Sequence, residues 1–188
     1  LLEPLKSDGL ILTTAETLTN QNPNNATSFQ HFSFMHDRIQ QAAYLLIEPE
    51  MLTELHLKIG RLLLTSLSEN EIDERLFEIL EHLNVGKQFI HDSDEQKMLV
   101  ELNMIASIKA RSATAFKAML KFNHAAFHFA NEMVGGIENF WNTNYEKALL
   151  LHRDLAESEF LEGDREIAVK IIQESLLYTK TPIERAKS

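Results

Sequence analysis

His124 and His128 are four residues apart and would share one face of a helix, a spacing at which two imidazoles can approach a metal ion. A zinc site needs a third ligand and outer-shell partners. The neighbours here are Ala125, Ala126, Phe127, Phe129 and Ala130, so the pair reads as the rim of a helix–helix contact and no metal site is expected. Glu69, Glu71, Asp73, Glu74, Glu78 and Glu81 form an acidic run, either a solvated face or a dock for a basic partner. Trp141 and Tyr145, near Gly135-Gly136, read as packing between helices. Ser, Asp and His are all available, yet no spacing assembles a nucleophilic triad. The phosphate cradle Gly-x-x-x-x-Gly-Lys-[Ser/Thr] is absent, as are Gly-x-Gly-x-x-Gly, Gly-x-Ser-x-Gly and His-Glu-x-x-His. No catalytic residue is assigned, and the fragment is expected not to be an enzyme.

The composition says what kind of scaffold must hold these residues. The chain has 188 residues, with 44% in the hydrophobic set and 24% charged. That is enough apolar content for a core, in one domain or one and a piece. The net charge of −10 disfavours nucleic acid and anionic membranes as partners, because both call for a basic face. The absence of Cys removes disulfides and thiolate chemistry and fits a reducing cytoplasm. No apolar run approaches the length of a membrane span. The opening Leu1-Leu2-Glu3 lacks an initiator Met and a signal pattern, so the chain reads as cut from a longer protein. Few Gly and Pro lean it towards helix.

The first stretch differs from the rest. Leu1 to Lys6 reads as a helix end, capped at Gly9. Leu10 to Thr14 and Phe29 to Phe34 are β-prone, and Thr19 to Asn25 is a polar loop. This order is that of the second half of a winged helix, or an irregular cap on a helical domain. From His36 onward only helices are expected. Ile39, Ala42, Ala43, Leu46 and Ile47 fall at helical spacing, and Pro49 ends that helix and opens the next. Ser68-Glu69-Asn70-Glu71, Ser93-Asp94-Glu95-Gln96 and Thr181-Pro182-Ile183-Glu184 read as capping boxes. The last of these places a helix start just before the end, as though the next repeat were cut short.

The spacing also repeats. Ala106, Ala118, Phe122 and Ala125 recur in phase, fifty residues on, as Ala156, Ala168, Ile172 and Ser175. Ser112-Ala113 and Gly163-Asp164 fall at the turn of each copy. A weaker copy runs Gly60, Ile72, Leu76 and Ile79 and loses the small-residue signature. Small, small, large, small at these intervals resembles the tetratricopeptide pattern, in which small residues let antiparallel helices approach closely.

The segment Phe32-Ser33-Phe34-Met35-His36-Asp37-Arg38-Ile39-Gln40-Gln41-Ala42-Ala43-Tyr44 resembles the stretch that follows the ATPase module in large bacterial signalling proteins of the STAND class. These are the predicted ATPases of multi-sensor hybrid histidine kinases, often preceded by a Ser/Thr kinase. The likeness continues through Leu55 to Leu64, Leu76 to Ile79, His82-Leu83-Asn84, Leu102-Asn103 and Leu155-Ala156-Glu157. The resemblance implies a P-loop ATPase and winged helix, then helical repeats, then sensory and kinase domains. It implies a nucleotide-sensing role for His36, with Asp37 and Arg38 beside it, in the parent protein only. An imidazole can donate to a diphosphate oxygen, and a helix mouth offers free N–H groups to an anion. The alternative is that His36 merely caps the helix and Asp37 and Arg38 pair locally.

The expected fold is therefore mainly α, with antiparallel tetratricopeptide-like helix pairs behind a winged-helix remnant. Residues 1–34 are assigned to the winged helix and residues 35–188 to the repeat region. The expected function is a non-catalytic regulatory module, coupling the nucleotide state of an adjacent P-loop ATPase in the same chain to partner or signal binding on the helices. The alternative is a stand-alone helical interaction module. The fragment is expected to hold no cofactor, and the parent ATP or ADP with Mg.

Overall fold

Residues 11–16, 29–34, 36–133 and 135–179 are described by a computed structural model, and they are mainly helical, as the composition leads one to expect. The chain divides after Leu52 into two units. In the first, strands β1 (Ile11–Glu16) and β2 (Phe29–Phe34) pair antiparallel, from Ile11 opposite Phe34 to Glu16 opposite Phe29. Both lie on runs of β-branched and aromatic residues, which suit a pleated surface. Helix α1 (Asp37–Leu45) follows. Helix α2 (Pro49–Ser66) opens on Pro49, whose ring fixes the backbone angle a first helical residue needs. The expected helix end at Leu1 to Gly9, the polar loop at Thr19 to Asn25 and the capping box at Thr181 lie outside the described residues, as does Met35.

The second unit takes up α2 and adds α3 (Glu69–Glu74), α4 (Leu76–Val85), a short 3-10 turn (Lys87–Phe89) and α5 (Ser93–Ser112). Then come α6 (Phe116–Glu132), α7 (Gly136–Thr143), α8 (Tyr145–Glu162) and α9 (Arg165–Leu176). One break is unmarked in the sequence and one cap moves. The helical stretch that follows the Ser68 box is broken at Arg75, at φ −102°, ψ 16°. The break leaves Glu69, Glu71, Asp73 and Glu74 in solvent and turns Leu76, Ile79, Leu80 and Leu83 inward at helical spacing. The cap of α5 is Asp92 rather than Ser93, because the Asp92 carboxylate accepts the Glu95 N–H at 2.8 Å. The box at Ser68 forms as expected, with Glu71 accepting from the Ser68 N–H at 2.8 Å.

Packing rests on small residues. Helices α2 and α4 meet where Gly60 faces Leu83 and Gly86 faces Leu57. Helices α5 and α6 fold back on each other through Ala113-Thr114-Ala115. Ala106 and Ala110 from α5 and Met119, Phe122 and Ala126 from α6 are buried in one core with Leu80 and Leu99. Helices α8 and α9 fold back through Gly163, which adopts the left-handed angle φ 103° that favours glycine. Ala156 and Ala168 are buried there. Of the repeating small residues only Ala118 is half-buried. Helices α5 and α8 run side by side in one direction, tied by Glu101 to Lys147 and Arg111 to Glu157. Helix α6 meets α8 through the Asn123 side-chain amide, which donates to the Asp154 carbonyl at 2.9 Å. Among the described residues no helix is long and apolar enough to cross a membrane.

Candidate functional site

His36 stands at the mouth of α1. Its backbone is extended, at φ −143°, ψ 139°, and its carbonyl accepts the N–H groups of Ile39 and Gln40 at 2.9 and 3.2 Å. The imidazole makes no capping hydrogen bond. His36, Asp37 and Arg38 are all exposed. Asp37 occupies the first turn, where a carboxylate meets the partial positive charge of the helix N-terminus. The three residues therefore form a polar cluster at one helix opening, with the imidazole not consumed by local structure. An open groove of about 530 Å³ follows on the same helix, lined by Asp37, Gln40, Gln41, Tyr44 and Leu45.

The other chemistry-bearing residues are spread out. His124 Nε2 lies 2.7 Å from Oε1 of the buried Glu159, whereas the His128 imidazole stacks edge-on to Phe129. Burial and the nearby Lys87 ammonium depress the pKa of His128. Among the described residues no group of three or more His, Cys, Asp or Glu is arranged to hold a metal ion. The acidic run is exposed and partly paired: Asp73 with Lys109 at 2.6 Å, Glu78 with Arg75 at 2.8 Å and Glu81 with Lys121 at 2.9 Å. Trp141 is buried, stacked on Tyr178 at 5.2 Å and edge-on to Tyr145 at 5.6 Å, the packing role expected of it.

Sequence reasoning misses three polar features of the helical unit. Asn84 and Asn103 exchange amide hydrogen bonds at 2.8 and 3.2 Å across α4 and α5, and Asn103 also donates to the Leu99 carbonyl. His56 and His82 meet with Nδ1 atoms 2.8 Å apart, and burial followed by the His82 charge lowers the pKa of His56. His152 is buried, its Nδ1–H donating to the Ala148 carbonyl at 2.8 Å with Trp141 against its ring, and burial lowers its pKa. His56, His82, Asn84 and Asn103 fall within the segments that carry the family resemblance, but nothing in their spacing announces these pairings.

The three lowered histidines set a pH dependence. Their unfolded pKa is about 6.5, so below that value the unfolded chain binds protons that the folded chain resists. Stability is therefore complete above about pH 6.5 and is lost as pH falls through the depressed folded values. The melting temperature is expected to drop between pH 7.5 and pH 5.5, and His152→Gln should flatten that slope. Parallel melts of the two proteins check this, and equal slopes would contradict it.

The geometry defines a set of stacked helix pairs preceded by two paired strands and a helix with a polar opening. Against known proteins, the chain is 29% identical over 174 residues to the hybrid signal transduction histidine kinase G of Dictyostelium discoideum. The match covers 83% of this chain and 5% of that protein, so it concerns a small region of a much longer one. No family model matches the chain. No solved structure matches it.

Proposed function

We propose that the chain is a non-catalytic signal-transduction module that couples the nucleotide state of an adjacent P-loop ATPase to partner or signal binding on its helical surface. In this reading residues 1–34 are the tail of a winged helix and residues 35–188 are tetratricopeptide-like repeats. The parent is a cytoplasmic ATP-binding sensor kinase that holds ATP or ADP with Mg in its ATPase core. The similarity to a region of a hybrid histidine kinase supports the signalling context. The observation that carries the coupling is the exposed imidazole of His36 at the α1 opening, unused by capping and flanked by Asp37 and Arg38. A hydrogen bond from such a group to a charged phosphate is worth roughly 1.5–3 kcal/mol, so it can discriminate two nucleotide states. A stack of helix pairs then moves as a rigid arm and transmits the difference.

The test uses the longer parent protein. His36→Ala is expected to speed ADP release by about tenfold, the kinetic equivalent of about 1.4 kcal/mol, leaving the melting temperature unchanged. Unchanged exchange removes His36 from the mechanism. A parent without a P-loop upstream overturns the coupling and leaves the stand-alone interaction module.

A further inference from the structure

The two helix pairs carry equivalent grooves in different states. In the first pair, α4 crosses the groove between α5 and α6. The Phe77 ring lies 5.0 Å from the Phe122 ring on α6, and seven residues later Asn84 is bonded to Asn103 on α5. Leu76, Ile79, Leu80 and Leu83 on the same helix are buried in the core shared with α5 and α6, and Leu83 also faces Gly60 of α2. Fifty residues on, Asn103 and Phe122 become Arg153 and Ile172. Both of these line a groove of about 440 Å³ between α8 and α9. Its floor is the buried pair Ala156 and Ala168, the in-phase counterparts of Ala106 and Ala118. Its apolar wall is open to solvent, with Phe160 55% and Val169 50% exposed.

We propose that the groove between α8 and α9 is a docking seat for a short amphipathic helix of a partner protein, patterned like α4 but with a carboxylate where α4 carries Asn84. The occupied groove supplies the template: apolar side chains at i, i+3, i+4 and i+7 over a small-residue floor. The charge supplies the difference. Where the first groove offers the Asn103 amide, the second offers the Arg153 guanidinium, and the Arg165 guanidinium lies over Phe160, 5.6 Å from the ring centroid. Asp154 already accepts from Arg153 at 2.9 Å, and Glu157 stands on the same wall. The Arg111 guanidinium of α5 reaches both Asp154 and Glu157, so three guanidiniums face two carboxylates here; one incoming carboxylate balances the set, and a run of them is repelled. The proposal deepens the partner-binding half of the proposed function. Its test needs no nucleotide, so its failure and that of the His36 coupling are told apart.

The probe is a capped peptide of this chain's own residues 75–86 with Asn84→Asp, titrated into the full 188-residue chain and followed by amide NMR shifts. Saturable shifts at Ala156, Ala168 and Val169 are expected. Arg153→Glu should raise the dissociation constant by about tenfold or more, and a peptide with Asn84→Lys should recover affinity for that variant. Val169→Glu, at an exposed position, gives a second loss of binding without loss of fold. No saturation at millimolar peptide overturns the proposal. So do shifts at Ala106 and Met119, which would mean displacement of α4, and self-association of the chain that protects Val169, which would make the occupant a second copy.

Discussion

Alanine in place of Gly86 is expected to lower stability by about 2–3 kcal/mol, the cost of forcing an extra carbon into a packed contact. A Cβ on Gly86 falls 2.6 Å from Leu57 Cβ and 3.3 Å from Leu57 Cα. Neither atom can rotate out of the way, so the backbones of α2 and the α4 terminus must part. Gly86 has φ −83°, ψ 7°, which any residue adopts, so the loss reports packing alone. Gly60→Ala is a graded comparison. Its Cβ meets side-chain atoms, Leu83 Cγ at 2.6 Å and Cδ2 at 2.7 Å. Alanine also returns about 1 kcal/mol of helix propensity, so the net loss is smaller. Leu83→Ala removes those atoms, and the double variant should cost less than the sum of the two singles. Urea unfolding followed by circular dichroism measures all of these. For a chain of this size, 1 kcal/mol moves the midpoint by roughly 2–4 °C, so Gly86→Ala should melt about 5–10 °C lower. A shift within error would mean that α2 and α4 do not meet through this glycine.

That contact also shows how far a single sequence can be read. The alanine spacing announces two helix pairs because small residues are needed wherever two helices cross closely, and Ala106, Ala156 and Ala168 are buried at those crossings. The weaker copy beginning at Gly60 loses the alanine pattern, yet its first small residue does the same work against Leu83. Turns at Ser112-Ala113 and at Gly163-Asp164 are legible from local backbone chemistry alone. Helix limits are less so. The cap moves to Asp92 because two adjacent residues can both accept the same N–H, and tertiary packing chooses. The break at Arg75 has no Gly or Pro to mark it, and it follows from turning Leu76 into the core while the acidic turn stays wet. His36 is legible as a helix opening, since the residues around it alternate and then take helical spacing. The open groove is not legible in the same way. It exists because α4 fills one pair and no described element fills the other, a difference between distant segments that periodicity does not carry.

Asn103→Leu is expected to cost about 2–3 kcal/mol, although it exchanges a polar core residue for an apolar one of similar bulk. Asn103 is fully buried and Asn84 is half-buried. Their amides satisfy one another, and Asn103 gives its second N–H to the Leu99 carbonyl at 2.9 Å. Removing Asn103 leaves the half-buried Asn84 amide without its partner, and an unsatisfied group of this kind costs up to about 1–3 kcal/mol. The loss adds to the packing strain of a branched side chain in a flat slot. Asn84→Leu should cost a similar amount, because it leaves the Oδ1 of the fully buried Asn103 unmatched although Asn103 keeps its bond to the Leu99 carbonyl. Replacing both with leucine removes every unmatched group, so the double variant should recover most of the loss of Asn103→Leu. The cycle of four proteins, unfolded in urea, therefore has a sign as well as a size. A favourable coupling between the two asparagines shows that the amide pair holds α4 across the α5–α6 groove. Additive losses would leave the apolar row of Leu76, Ile79, Leu80 and Leu83 to seat that helix unaided.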